Sequence, residues 1–203
     1  MSNGRISTIA FGSVDGYNEI RQIIPAGQGH FWAASDEGLH YYSATGGIYK
    51  KIQNISLKSI ARTPGDTIWF AASALLGYYS FHSPDKEVVI ETRFTAVETD
   101  TENNVWAGGI EGLYSQNDHF KTNFGDRFHE LKSRITTIQR AGENKLWVVT
   151  PESGLLSATI RRGGISRDHD GRIGTRLCGH RSVPANRSSR HHLLPPSIVS
   201  STR

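Results

Sequence analysis

The residues best suited to chemistry are few and scattered. Cys178, His180, His191 and His192 are the soft and borderline donors from which a zinc site could be drawn. Cys-x-His followed later by His-His matches no usual zinc spacing, and the segment lacks apolar support to hold a ligand cage. No metal site is expected there. Asp15-Gly16, Gly65-Asp66 and Gly125-Asp126 could offer loop oxygens to calcium, but no twelve-residue acidic loop surrounds them, so they read as turns. Asn54-Ile55-Ser56 and Asn186-Arg187-Ser188 match the glycosylation acceptor pattern, which carries little meaning by itself.

A Gly-rich phosphate loop, a Gly-x-Ser-x-Gly elbow and a His-Glu-x-x-His pair are all missing from the sequence. Nothing places a nucleophile beside a base, so no catalytic residue and no cofactor is assigned. Tyr41, Tyr42, Tyr78 and Tyr79 could stack against a carbohydrate ring, although packing is the expected role. The sequence names no ligand-binding residue.

Charge divides the chain. Residues 1–158 hold 14 Lys+Arg against 17 Asp+Glu, a net of −3. Residues 159–203 hold nine Arg against two acids, Asp168 and Asp170, a net of +7. All 19 Phe, Trp and Tyr residues precede residue 159. A basic stretch can bind phosphates. This one has no interleaved aromatics and too little apolar surface to offset its ordering entropy. It is expected to be a disordered tail, and no nucleic-acid partner is expected. The single cysteine excludes an internal disulfide. No run of 18 apolar residues exists, and Ile6–Phe11 is too short and interrupted for a signal peptide.

What must position any site is a repeat. Trp32, Trp69, Trp106 and Trp147 are spaced by 37, 37 and 41 residues, and their neighbours agree. Twelve residues before each stand Ile20, Leu57, Phe94 and Ile135. Nine before stand Ile23, Ile60, Val97 and Ile138. Immediately before stand Phe31, Ile68, Val105 and Leu146. Three before stand Gly29, Asp66, Asn103 and Asn144, types that tolerate left-handed turns. Small side chains follow: Ala34-Ser35, Ala71-Ala72, Gly108-Gly109 and the bulkier Val149-Thr150. A Gly-Leu pair closes three copies, at Gly38-Leu39, Gly112-Leu113 and, one residue late, Gly154-Leu155; the second has Leu75-Leu76 before Gly77.

Each copy reads as hairpins: one strand with the first two apolar columns, a second with the Trp, a third after the Gly, and a variable fourth. No segment shows sustained helical periodicity. Four short strands in about 40 residues is the size of one β-propeller blade. One blade cannot bury both faces, so blades must stack. The chain is therefore expected to be all-β. Residues 1–158 form a partial propeller with blades around 20–52, 57–91, 94–130 and 135–158, and the tail follows over 159–203.

The pattern of Phe94-Thr95-Ala96-Val97, Glu102-Asn103-Asn104-Val105-Trp106-Ala107-Gly108-Gly109 and Gly112-Leu113 resembles the two-component regulator propeller repeat. Ile20 to Tyr41 resembles it too, and Val14–Ile20 resembles the segment that precedes its first apolar column, with Tyr17 in place of a Leu. The resemblance covers residues 6–158. It implies a seven-bladed parent ring in the periplasmic sensor region of a hybrid histidine kinase. It further implies a small-molecule or carbohydrate ligand on a blade-loop face, possible homodimerisation through the parent sensor, and no enzyme activity in this chain. A general protein-interaction propeller is the alternative. Ile6–Phe11 is expected to be the last strand of a missing blade. After Ser157-Ala158-Thr159-Ile160 a fourth strand is due, and Arg161-Arg162-Gly163-Gly164 suggests instead a fragment with an out-of-frame or replaced tail.

Overall fold

Alternation builds the first strand: side chains along Ile20–Gly27 are alternately half-buried and exposed, the period of two that a pleated strand imposes. The computed structural model describes residues 19–43, 47–65, 67–81, 86–161, 163–166 and 174–175. They form four antiparallel sheets that follow one another along the chain. The first holds β1 (Ile20–Gly27), β2 (His30–Ser35), β3 (Gly38–Ser43) and β4 (Gly47–Gln53). The second holds β5 (Leu57–Thr63), β6 (Thr67–Ala72), β7 (Leu76–Ser80) and β8 (Lys86–Ile90). The third holds β9 (Phe94–Thr99), β10 (Val105–Gly109) and β11 (Leu113–Ser115). The fourth holds β12 (Thr137–Arg140), β13 (Lys145–Thr150), β14 (Gly154–Arg161) and β15 (Gly164–Ser166), with β16 (Gly174–Thr175) also paired to β14.

The four tryptophans occupy one register. Each sits on its sheet's second strand, opposite Ile24, Ala61, Glu98 or Gln139 on the first. Opposite them on the third strand stand Tyr41, Tyr78, Ser115 and Ser157. The partner lies nine residues on in three sheets and ten in the fourth, which is the one-residue delay visible at Gly154.

The first three indoles are each buried against the following sheet. Trp32 shares a core with Ile60, Ile68 and Phe70. Trp69 shares one with Phe94, Val97 and Val105. Trp106 shares one with Ile135, Ile138 and Val148. First strands touch in succession, β1 on β5, β5 on β9 and β9 on β12. The approach is close: a Cβ at Gly108 would lie 2.6 Å from Ile135 Cβ, so the small column after the Trp is a steric requirement. Trp106 also satisfies its indole. Its N–H donates to Asp100 Oδ2 at 3.0 Å, and the same carboxylate accepts from the backbone N–H groups of Glu102 and Asn104.

Polar contacts repeat across the junctions. Gln22 Oε1 accepts from Ile60 N at 2.8 Å, and Ser59 Oγ, one repeat later, accepts from Val97 N at 3.1 Å. Asp36 in the first sheet accepts from Ser56 Oγ at 2.8 Å and faces Lys58 Nζ at 3.9 Å, both ahead of or within the second. Arg21 pairs with Asp36 at 3.2 Å and with Glu19 at 2.8 Å. The Ser56 hydrogen bond and the Arg21 guanidinium together hold the Asp36 carboxyl below the usual range, against the opposing effect of burial.

Two details differ from expectation. The third sheet has three strands among the described residues, not four. Its expected fourth place is taken by 3₁₀ turns at Gln116–Asp118, Phe124–Asp126 and His129–Leu131. The cause lies in the spacing of Phe120, Phe124, Phe128 and Leu131, which steps by four, four and three. All four are buried, a pattern that suits turns of helix and not a pleat. In the fourth sheet the due strand does exist. The boundary drawn after Ala158 falls inside β14, and Arg161 pairs with Gly164 where the chain reverses, with Gly163 at φ 70°. The turn column also varies: Gly29 and Asn103 are left-handed, whereas in the fourth sheet Gly142 takes that role and Asn144 does not. Asp66, the Ile6–Phe11 strand, Asp15-Gly16, Asn186 and the tail positions Cys178, His180, His191 and His192 lie outside the described residues.

Trp69→Ala should lower stability by about 3–5 kcal/mol, since an indole hides roughly 150–250 Å² when enclosed. Trp147 is only half-buried, so Trp147→Ala should cost about half as much. Chemical denaturation of both variants checks the ordering, and equal losses would contradict it. A second expectation concerns pH. Because the Asp36 carboxyl is depressed in the fold, its contribution is present above the unfolded value of about 3.9 and drains away as pH falls through the folded one. Asp36→Asn should therefore lose less stability than the parent on acidification from about pH 5 to about pH 3. Parallel pH slopes for the two proteins would contradict the assignment.

Candidate ligand-binding site

Two openings follow from the stacking. The first lies where the four innermost strands converge. β1 presents Arg21 and Gln22, β5 presents Lys58 and Ser59, β9 presents Thr95 and Ala96, and Thr136, Thr137 and Ile138 complete the lining of a cavity of about 200 Å³. Apart from Ile138, nine before Trp147, these residues fall eleven and ten positions before their tryptophans, so the repeat itself aims them at one place. The cations here are already engaged by Glu19 and Asp36. Gln22, Ser59 and Thr95 spend hydrogen bonds on the neighbouring sheet, Thr95 Oγ1 donating to the Ile135 carbonyl. This opening is mostly a joint between sheets.

The second opening is a cleft of about 470 Å³ at the junction of the first and second sheets. Ala26, Gly27 and Gln28 form one rim at the β1–β2 turn. Trp32 and Tyr41 line it from adjacent strands, Arg62 from the end of β5 and Phe81 from just beyond β7. The rings form an angular cup. Trp32 and Phe81 centroids lie 5.2 Å apart at 61°, Tyr41 and Phe81 5.6 Å apart at 89°, and Trp32 and Tyr41 4.9 Å apart. His30 Nδ1 and the Tyr41 hydroxyl hydrogen-bond each other, which fixes both polar edges at the cleft. Arg62 Nη1 donates to the Ala26 carbonyl at 3.4 Å, anchoring the guanidinium across the junction.

The other junctions show why this one is open. Trp69 is covered by Phe120 at 5.7 Å, and Trp106 by Phe124 at 5.5 Å. Phe120 and Phe124 are both buried, supplied by the 3₁₀ segment. Phe81 is the corresponding ring over Trp32, and it remains 41% exposed. Pockets of roughly 300–1,000 Å³ lined by aromatics with a few placed polar groups are the usual form of a small-molecule site.

Of the tyrosines expected either to pack or to stack, only Tyr41 reaches the cleft. Tyr42 stacks on Phe31 at 4.6 Å, Tyr78 packs beside Trp69 at 5.1 Å, and Tyr79 is buried, its hydroxyl pushed upward in pKa by that burial. Gly38 and Gly112 take φ of 142° and 151°, and Gly154 of 72°, at the turns entering their third strands. His30, Arg62 and Phe81 are cleft residues that the repeat columns do not single out. Phe81 lies in the variable stretch after the third strand, and neither His30 nor Arg62 has a like residue in all four copies. Among the described residues no group of three or more His, Cys, Asp and Glu could hold a metal, and no helix is long and apolar enough to cross a membrane.

No family model and no curated protein sequence matches the chain. Solved structures do. The extracellular domain of a one component system from B. thetaiotaomicron aligns at 18% identity with a TM-score of 0.55, covering 68% of this chain and 21% of its own. The extracellular domain of a hybrid two component system from the same organism aligns at 16% identity and TM-score 0.54, covering 70% and 23%. Virginiamycin B lyase from Staphylococcus aureus aligns at 12% identity and TM-score 0.51, covering 70% and 56%. The chain thus spans about a fifth of the length of those extracellular domains. Together with the four stacked sheets, these likenesses identify the architecture as that of a β-propeller.

Proposed function

We propose that the chain is a ligand-sensing β-propeller portion of a two-component signal-transduction sensor, acting on the extracytoplasmic side. It takes a carbohydrate-type ligand in the cleft between the first two sheets. The carrying observation is the cleft edged by Tyr41 and by the exposed ring of Phe81 above the buried Trp32, at a junction where Phe81 stays exposed while the corresponding rings at the next two are buried. Aromatic faces suit the C–H face of a sugar ring, and Gln28, His30 and Arg62 offer hydrogen bonds to its hydroxyls. The likeness to extracellular domains of bacterial signalling systems supports the sensor reading and the location.

Holding is favoured over catalysis. Glycoside cleavage uses two carboxyl groups flanking the bond, and among the described residues the cleft lining holds no Asp or Glu. Binding would act by favouring one of two arrangements of the sensor, through the Arg62 contact that already ties the two sheets together. A second reading, a docking scaffold for another protein, is favoured by Val88 and Val89, exposed side by side on the outer strand β8.

A panel of neutral and acidic oligosaccharides should be titrated by calorimetry, with tryptophan fluorescence as a parallel readout. At least one should bind, and Phe81→Ala and Arg62→Ala should each weaken it about tenfold, equivalent to ~1.4 kcal/mol. Absence of binding across the panel, or binding indifferent to both substitutions, would sink the assignment.

A further inference from the structure

The polar side chains of the cleft between the first two sheets are rich in donors and poor in acceptors. Arg62 carries five N–H donors and no acceptor. Its Nη1 is set at the cleft by the Ala26 carbonyl at 3.4 Å, so that carbonyl has already accepted one bond. His30 Nδ1 and the Tyr41 hydroxyl are committed to each other. Gln28 brings one acceptor oxygen and two further donors. Among the described residues the lining holds no Asp or Glu. A neutral sugar matches such a set poorly, because each hydroxyl has a proton to donate and few side chains here can receive it. A carboxylate only accepts, and it meets a guanidinium through two parallel hydrogen bonds.

The other junctions show what this one lacks. At the axial opening Arg21 lies 2.8 Å from Glu19 and 3.2 Å from Asp36, and Lys58 lies 3.9 Å from Asp36, so those cations have anions of the protein beside them. Arg140 holds the column of Arg62, seven residues before its Trp. There the preceding sheet supplies Glu98, opposite Trp106, and Glu98 Oε2 accepts from the Arg140 N–H at 3.4 Å. Burial pushes the Glu98 carboxyl up, and the Arg140 charge acts against that. The residue of the first sheet equivalent to Glu98, opposite Trp32, is Ile24. Residues 1–158 carry 17 Asp+Glu against 14 Lys+Arg, so the lack of acids in the cleft lining is a local feature and not a property of the repeats.

Gln28 stands on the same rim as the Ala26 carbonyl. It is held at φ 51°, between Gly27 at 89° and Gly29 at 78°. A left-handed backbone is uncommon for a residue with a long side chain, and such strain concentrates where the side chain has a task.

We infer that the ligand of this cleft is acidic: a uronate-bearing oligosaccharide, its carboxylate received by Arg62 with the Gln28 amide as a second donor, and its ring resting on Tyr41 and Phe81. This deepens the sugar reading of the cleft and rests on it.

Calorimetry on the full chain tests it with matched probes. These are oligosaccharides of galacturonate, of mannuronate and of glucuronate-substituted xylan, each beside its methyl ester, which keeps the ring and removes the charge. At least one acid should bind about tenfold more tightly than its ester, the scale of a charge-assisted hydrogen bond. Raising salt from about 0.05 M to about 0.5 M should narrow that gap. Arg62→Gln should bring the acid down to its ester's affinity, and Arg62→Lys should keep part of the gap. Phe81→Ala should weaken acid and ester together. Arg62 is exposed, so its variants should match the parent in near-UV circular dichroism. Should they fail to fold, the acid-to-ester ratio of the parent decides alone. Acid and ester bound equally, a neutral oligosaccharide bound more tightly than every acid, or a gap that survives Arg62→Gln overturns the acidic ligand and leaves a sugar site standing. If no sugar of any kind binds, the sugar site itself fails and the acidic ligand with it.

Discussion

The structure rests on one contact made three times: an indole on the second strand of each sheet, buried against the first strand of the next. A four-stranded sheet of this size has two apolar faces and no means of hiding both. The tryptophan supplies much of the area that makes stacking favourable, and the small column after it lets the backbones approach. Gly108 against Ile135 shows how tight that approach is. Hydrogen bonds such as Gln22 to Ile60 N and Ser59 to Val97 N add direction, so that neighbouring sheets meet in a fixed register.

The candidate site lies just outside the same contact. Covering an indole takes a further ring from beyond the third strand. All three indoles are buried, but Phe120 and Phe124 are themselves buried over Trp69 and Trp106, whereas Phe81 over Trp32 stays 41% exposed. A cleft thus opens at one junction without any change in the underlying repeat. Its polar groups, His30 and Arg62, belong to strand ends and not to the repeat columns, which is how a repeated scaffold acquires a specific site.

Much of the scaffold was legible because its cause is periodic. The columns around Trp32, Trp69, Trp106 and Trp147 name the second strands, the buried leading residues and the small positions. What was not legible depends on departures from the period. The 3₁₀ segment is signalled by Phe120, Phe124, Phe128 and Leu131, but their spacing is too short-lived to stand out as helix. β15 hides behind Arg161-Arg162-Gly163-Gly164, whose basic character resembles the tail more than a hairpin, although Gly163 supplies the left-handed turn. The cleft was invisible because it depends on how far Phe81 reaches over Trp32, a matter of packing between sheets and not of residue type.

The most direct measurement of the indole contact is a nuclear Overhauser spectrum with assigned methyl groups. The account predicts that each enclosed ring sees the sheet that follows it: Trp32 the Ile60 methyls, Trp69 those of Val97, and Trp106 those of Ile138, with no such set for Trp147 within one chain. Cross-peaks from these rings to the preceding sheet, or rings that see only their own strands, would contradict it.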